Sequence, residues 1–255
     1  MKTTMACLVS GLAAACALAE TAAFWQFEDG QPGEAAKAVL PGGCAGAFEK
    51  GAPPAFDADV PCAALWDSAA AQPAVPSNRT SLRFRAPEEA KGGAPVGGEV
   101  TVSGKDAALK PAGFTLEAFV KVAKQQPRHA LIASKRRKGG SGASWSLSLL
   151  PSGALGARFD TEQERDGAKA GAFNQCLSGA RVPDDGAWHH VALSVDRETL
   201  KAALYVDYRA CGGGTVAAPL AYDDSDFEIG RGLDGWLDER SEEHTSELQS
   251  RLQLV

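Results

Sequence analysis

Three aspartates near the C-terminal end are the side chains best suited to bind a metal ion. Asp223, Asp224 and Asp226 lie in the segment DDSD, whose residue types are typical of a turn. Ca²⁺ takes about six to eight oxygen ligands, many of them carboxylates, and Asp29 and Asp238 are further candidate ligands. The three aspartates are therefore weak candidates for a calcium site. A solvated acidic turn that binds no ion is the simpler interpretation.

Two adjacent histidines, His189 and His190, are the first candidates for catalytic residues in the sequence. They lie in a segment with alternating apolar residues, and neighbouring residues of a strand point to opposite faces of the sheet. The two imidazoles therefore cannot hold one metal ion together. We expect them to form hydrogen bonds within the sheet.

Disulfide formation is the next chemistry that the sequence allows. Cys44, Cys62, Cys176 and Cys211 are the cysteines that follow residue 19. An even number in an exported chain favours disulfides. Nearness in sequence predicts Cys44–Cys62, and the positions of the other two on either side of a predicted hairpin predict Cys176–Cys211. Zinc binding is the alternative, but no Cys-x-x-Cys or Cys-x-x-His spacing supports it.

Residues 1–19 are predicted to be a signal peptide. Lys2 precedes an apolar run that is too short to span a bilayer, and Ala17-Leu18-Ala19 is a small-x-small cleavage site. Cleavage after Ala19 predicts a secreted or cell-surface protein. A lipoprotein signal that ends at Cys16 is the alternative, and lipid on that cysteine would attach the chain to a membrane.

The elements that must position these residues are organised around a predicted hairpin, Asp184–Arg209. In its first strand Val191, Leu193 and Val195 share a face, and residues 196–199 form a polar turn. The second strand alternates in the same way. A period of two predicts a pair of antiparallel strands joined by a short connection.

The hairpin sequence DGAWHHVALSVD, followed by ALYVD, resembles the central hairpin of laminin-G-like domains in the concanavalin A-like lectin–glucanase class. The segments GFTLEAFVKV, HALIASK and GWLDE resemble further strands of the same family. The resemblance implies an all-β fold, an antiparallel jelly-roll β-sandwich of about a dozen strands within residues 20–239. It is thin over residues 20–112, which we predict to be rich in loops. Related domains often hold calcium at the rim of the sandwich.

The last segment, residues 240–255, departs from the family pattern. Its stretch RSEEHTSELQS resembles the translation of a common sequencing-adapter oligonucleotide. On this interpretation the natural domain is truncated inside a strand at Glu239, and the tail is not part of the fold.

The basic run KRRK at residues 135–138 is followed by two glycines and predicts a solvated loop tip. The chain carries a net charge of −6, so neither nucleic acid nor an anionic membrane is an expected partner. A run of three glycines, residues 212–214, predicts a flexible turn.

These features predict an exported, non-enzymatic binding module for carbohydrate or cell-surface ligands. One alternative is a glycosidase-like enzyme, which would need two carboxyl groups about 5–10 Å apart; the adjacent Asp238 and Glu239 point to opposite faces of a strand. Another is a structural or adhesive domain of a larger surface protein. The tryptophans that could form a sugar platform, or pack in the core, are Trp66, Trp145, Trp188 and Trp236.

Overall fold

The computed structural model describes residues 21–25, 27, 30, 46–48, 54–61, 79–85, 98–105, 107–123, 126, 129–136, 143–160, 175–216 and 219–243. In these residues it contains β-strands and one short 3-10 helix, Ala107–Leu109. The predicted fold class, an antiparallel jelly-roll β-sandwich, is confirmed. No helix in the described part of the chain has the length and apolarity to cross a lipid bilayer.

The described residues include strands from the N-terminal to the C-terminal part of the chain. In order they are β1 (Thr21–Trp25), β2 (Gly46–Phe48), β3 (Ala55–Asp57), β4 (Ser81–Phe84), β5 (Val100–Val102), β6 (Phe114–Val122), β7 (Ala130–Arg136), β8 (Ala143–Leu149), β9 (Ala154–Phe159), β10 (Gln175–Arg181), β11 (Trp188–Val195), β12 (Lys201–Val206), β13 (Arg209–Thr215), β14 (Phe227–Ile229) and β15 (Gly235–Glu243).

The strands form two sheets. Sheet A has the order β13-β12-β11-β6-β15-β4-β3, with β1 also paired to β15, and sheet B has the order β10-β9-β8-β7-β14-β5-β2. Strand β6 lies at the centre of sheet A, between β11 and β15, although these three strands are far apart in sequence. Such crossovers place the chain alternately in the two sheets, as a jelly roll requires.

The core lies between the inner faces of the two sheets. Val191 and Leu193 of β11 are fully buried there, next to Leu116 and Val120 of β6. The predicted sharing of one face by Val191, Leu193 and Val195 is confirmed, and the structure shows that this face is the one that looks into the core. Full burial of one such aliphatic side chain contributes about 1.5–3 kcal/mol to stability. The opposite side of sheet A, here called its outer face, carries the even-numbered residues of β11 and the odd-numbered residues of β6.

The glycine run at 212–214, predicted as a flexible turn, instead lies inside strand β13. The reason is a close approach between the edges of the two sheets. A Cβ atom added to Gly212 would lie only 2.6 Å from the backbone carbonyl oxygen of Ser178 in β10. A side chain would therefore push the sheets apart, and glycine allows β13 to pack there.

The predicted Cys176–Cys211 disulfide is not formed in the structure, where Cys211 is a free cysteine. Cys176 pairs with Arg158 inside sheet B, whereas Cys211 lies in sheet A. Its Sγ atom lies against Gly179, 2.6 Å from the position that a Cβ on that glycine would take. The two cysteines thus belong to neighbouring strands of different sheets. Cys16, Cys44, Cys62 and the predicted signal peptide lie outside the described residues.

Strand β15 continues past Glu239 to Glu243. Its final residues pair with two strands at once, since Glu243 lies opposite both Thr21 of β1 and Thr115 of β6. The interpretation of residues 240–255 as an adapter-derived tail stays a prediction.

Candidate functional site

The aspartates predicted to bind calcium lie around a lysine. Lys135, predicted to lie in an exposed loop tip, is an inward-pointing residue of β7 with no exposed surface. Its Nζ atom donates hydrogen bonds to the carbonyl oxygens of Gly104, at 3.2 Å, and Ser225. The ammonium group therefore occupies the middle of the acidic turn.

The pKa of Lys135 is affected both by its burial and by the charged groups around it. Burial lowers its pKa, and the positive charge of Lys110 lowers it further. The negative charges of Asp223, Asp226 and Asp224 act in the opposite direction and favour the ammonium form. The turn thus carries its own counter-ion, a side chain of the same chain.

The aspartates themselves have further partners within the turn. Oδ1 of Asp223 accepts a hydrogen bond of 2.8 Å from the backbone N–H of Ser225, and Asp224 forms an ion pair with Lys110. In the described part of the chain no three His, Cys, Asp or Glu side chains form a group that could hold a metal ion. The carboxylates of Asp223 and Asp224 thus already have partners, and the calcium site at Asp223, Asp224 and Asp226 stays a prediction.

A second acidic group is assembled from residues that are not contiguous in sequence. Nδ1 of His189 lies 3.0 Å from Oδ2 of Asp207, and Nε2 lies 3.2 Å from Oδ1 of Asp185. Asp185 belongs to the loop before β11, and Asp207 belongs to the turn between β12 and β13. His189 therefore joins two separate turns.

The pKa values of this group are shifted in opposite directions. Burial lowers the pKa of His189, but hydrogen bonds and charges from Asp207 and Asp185 outweigh it, and the pKa is raised overall. The pKa of Asp185 is lowered, first by the backbone N–H of Ala187 and then by the hydrogen bond to His189. Both shifts favour the charged pair.

His190 points to different partners, in agreement with strand alternation. Its Nε2 atom lies 3.3 Å from Oε2 of Glu117, and its backbone N–H donates a 3.1 Å hydrogen bond to Asp207. Its ring stacks nearly parallel on Tyr208, with 4.0 Å between ring centroids, and meets the edge of Phe119 at 5.5 Å. We call Glu117, Asp185, His189, His190, Asp207 and Tyr208 the histidine cluster.

The turn at Asp207 and Tyr208 is strained. The two residues have φ angles of 49° and 62°, in the left-handed region. A two-residue hairpin turn of this kind favours Asn-Gly or Asp-Gly, and a residue other than glycine costs about 1–2 kcal/mol there. Sequence reasoning missed this site. The signal that could have revealed it is an aromatic residue directly after Val-Asp at the end of a strand, where a hairpin turn demands glycine.

Two tryptophans lie beside the histidine cluster on the outer face of sheet A. Nε1 of Trp188 donates a 2.8 Å hydrogen bond to Asp59, and Nε1 of Trp236 donates a 3.0 Å hydrogen bond to Asp57. The guanidinium carbon of Arg83 lies 4.1 Å from the ring centroid of Trp236. Both indoles are thus held in fixed orientations.

The tryptophans that were considered as a sugar platform or as core residues differ in how deeply they are buried. Trp236 is partly exposed, Trp188 is mostly buried, and Trp145 is fully buried in the core between Phe114 and Phe227. Trp66 lies outside the described residues. Of the three that are described, Trp236 is the most exposed residue, and the guanidinium of Arg83 lies over its ring.

The acids of the outer face do not form an open pair. Asp238 lies opposite Phe119 of β6, and Glu117 is two residues further along that strand on the same face. Asp238 is fully buried, and Glu117 contacts His190. A glycosidase needs two carboxyl groups that flank the sugar bond and reach it, and this pair does not meet that condition.

A family model described as "Concanavalin A-like lectin/glucanases superfamily" matches residues 94–240, more than half of the chain. The comparison with curated protein sequences found no match.

Solved structures with the same fold include domain 4 of AbnA, a GH43 extracellular arabinanase from Geobacillus stearothermophilus, in complex with arabinotriose. It is 14% identical, with a TM-score of 0.58, and the alignment covers 92% of this chain and 98% of that one. The receptor-binding domain of botulinum neurotoxin type G is 10% identical, with a TM-score of 0.54, over 92% of this chain and 51% of that one. The chain thus spans about half the length of the toxin structure. At such identities these likenesses show the fold alone.

Proposed function

Because the chain belongs to the concanavalin A-like lectin/glucanases superfamily, we propose that it is an exported, non-enzymatic binding module whose ligand is a carbohydrate. Export follows from the predicted signal peptide, and the ligand class follows from the outer face of sheet A.

The observation that carries the proposal is the combination of aromatic rings and fixed charged groups on that face. Trp236 is partly exposed, Asp57 holds its indole N–H, and Arg83 and Lys121 lie within 4.1 and 5.3 Å of its ring. A carbohydrate offers apolar C–H faces and a rim of hydroxyl groups. Small-molecule sites combine aromatic surface with a few oriented polar groups in the same way.

A structural neighbour supports the ligand class. Domain 4 of AbnA was solved with arabinotriose, and nearly its whole length is aligned with this chain. The toxin domain is named as a receptor-binding domain, which also indicates binding. A carbohydrate ligand fits both the neighbour and the residues of the outer face, so we favour it over a purely adhesive role.

The charge pairing of the acids supports the non-enzymatic part of the proposal. Glu117 contacts His190, Asp207 contacts His189, and Asp59 forms an ion pair with Lys121 at 2.5 Å. A glycosidase needs two carboxyl groups that flank the sugar bond, and each of these three carboxyl groups is instead in contact with a basic side chain of the same chain.

The experiment is a glycan array probed with the full-length chain, followed by titration calorimetry on any carbohydrate that binds. We expect binding to a restricted set of glycans. Lys121→Gln should weaken binding, while Arg197→Gln, an exposed cation in the β11–β12 turn, should leave it unchanged.

Two results would overturn the proposal. If no glycan binds and the chain adheres to a cell-surface protein instead, the adhesive alternative is correct. If the chain hydrolyses a polysaccharide and Glu117→Gln abolishes the hydrolysis, it is an enzyme.

A further inference from the structure

The turn between β12 and β13 keeps an aromatic residue where the backbone favours glycine. Both Asp207 and Tyr208 have positive φ angles, 49° and 62°, and glycine at position 208 would remove the strain at that residue. Backbone strain of this kind is concentrated at functional sites, where the side chain is retained for a reason other than stability. The identity of residue 208 therefore points to a use for its ring.

The ring of Tyr208 is both exposed and held in place. Tyr208 is 36% exposed. Among the large hydrophobic residues in the described part of the chain, it is the most exposed. Its inner side stacks on His190, with 4.0 Å between centroids and an angle of 8° between planes. His190 is itself only 3% exposed and contacts Glu117 and Phe119. A rigid support of this kind presents a flat aromatic surface at little entropic cost to a ligand.

Two hydrogen-bond acceptors adjoin this ring: Asp207 precedes Tyr208 in the turn, and Glu117 contacts His190, on which the ring stacks. The side chains of Asp207, Asp185 and Glu117 are 47%, 56% and 27% exposed. His189 bridges Asp207 and Asp185, so the loop before β11 and the turn that bears Tyr208 are held together. An ionised carboxylate accepts hydrogen bonds only, and hydroxyl groups are suitable donors to it.

The charge around the turn is negative. The acids are Glu117, Asp184, Asp185 and Asp207, and the bases are Arg181, His189 and Arg209. Arg181 is paired with Asp184 at 3.0 Å, and His189 is shared by two carboxylates. The remaining negative charge opposes an anionic ligand and accepts a neutral one.

We propose that the β12–β13 turn is the contact site for a neutral saccharide, one ring of which stacks on Tyr208 while its hydroxyl groups donate to Asp207 and Glu117. This inference rests on the proposed function. It adds the position of the ligand on the protein and the charge class of the sugar.

The first arm of the test measures the role of the ring. Full-length wild type, Tyr208→Gly and Tyr208→Phe are titrated with arabinotriose, cellotriose and mannotriose by calorimetry, and their thermal unfolding is recorded. We expect at least one trisaccharide to bind wild type, Tyr208→Gly to bind it about tenfold or more weakly, the scale of a truncated aromatic anchor, and Tyr208→Phe to bind within about threefold of wild type. Tyr208→Gly must show a cooperative unfolding transition, so that lost binding is not lost folding.

The second arm measures the charge class. Sialyllactose, an anionic trisaccharide, should bind wild type at least about tenfold more weakly than the best neutral one. If Tyr208→Gly binds as wild type does, or if sialyllactose binds as well as the neutral sugars, the site assignment is wrong.

The two proposals fail in different ways. Binding that survives Tyr208→Gly but is weakened by Lys121→Gln overturns this inference and leaves the carbohydrate-binding function intact. No binding of any glycan to wild type overturns both.

Discussion

Two acid-rich turns of this molecule are built around opposite kinds of basic side chain. The turn at Asp223–Asp226 surrounds Lys135, which is fully buried and donates to backbone carbonyls. The histidine cluster surrounds His189, whose carboxylate partners are about half exposed. In the first turn the cation is buried and bonds to backbone carbonyls, although the side chain of Asp224 is 66% exposed. In the second, the imidazole itself bridges two carboxylates from separate turns. The two turns therefore differ in what the basic side chain binds, and both expose carboxylates to solvent.

The largest expected effect is at the buried lysine. Lys135→Met should lower the free energy of unfolding by about 1–3 kcal/mol for each carbonyl oxygen that loses its donor, because Nζ bonds to Gly104 and Ser225 inside the protein. Urea unfolding measures it. The matched change Lys110→Met removes the lysine that pairs with the exposed Asp224 and should have little effect. Equal losses for both variants would contradict the role assigned to the buried ammonium.

The next effect is at the strained turn. Tyr208→Gly should be more stable than Tyr208→Ala by about 1–2 kcal/mol, since both lose the ring but only alanine keeps a Cβ at a φ of 62°. Lys201, an exposed residue of the regular strand β12, is the matched control. There the order should reverse, with glycine less stable than alanine by about 0.5–1 kcal/mol. If alanine is more stable than glycine at both positions, the turn is not strained.

A smaller effect is expected from pH. The pKa of His189 is raised in the folded state by Asp207 and Asp185, in spite of burial. Its contribution to stability is thus fully present below the unfolded value of about 6.5 and is lost as pH rises through the folded value. Chemical unfolding across this range should show a decline that His189→Gln removes.

His129 provides a control of opposite sign. Burial, and then the charge of Arg158, lower the pKa of its imidazole. It therefore costs stability as pH falls from about 6.5 through the lowered value. His129→Gln should remove a gain of stability with rising pH below about 6.5 and leave the decline above that pH in place; a variant that instead lost the decline would be evidence against these assignments.

The smallest effect concerns calcium. Because the ammonium of Lys135 lies among the three aspartates, added Ca²⁺ or a chelator should leave the unfolding temperature of wild type unchanged. Differential scanning fluorimetry tests this. A rise with Ca²⁺ that disappears in Asp223→Asn would restore the calcium interpretation.

The alternation of apolar residues was enough to predict much of the fold. Strands β11 and β12 lie where the hairpin was predicted, and Val191 and Leu193 share one face as expected. Period two is a local property, so it can be read without knowledge of the partner strand. Short strands without it, such as β2 and β3 in the segment predicted as loops, were missed.

Lys135 shows where this reasoning fails. Strand β7 pairs with β8 through two register shifts, one between Leu131 and Ala133 and one between Lys135 and Arg136. A bulge changes which face the following residues occupy, and the lysine is turned inward. The basic run and its glycines gave no sign of this.

The resemblance to laminin-G-like domains implied the class of fold, and the alternation of apolar residues predicted the central hairpin, because alternation depends on residues two positions apart. Only the tertiary structure decided which charges meet. Lys135 and Ser225, or Asp185 and Asp207, are brought together by the order of strands and the packing of two sheets. Electrostatic contacts act over a few ångströms, and no local pattern specifies such distances between residues far apart in the chain.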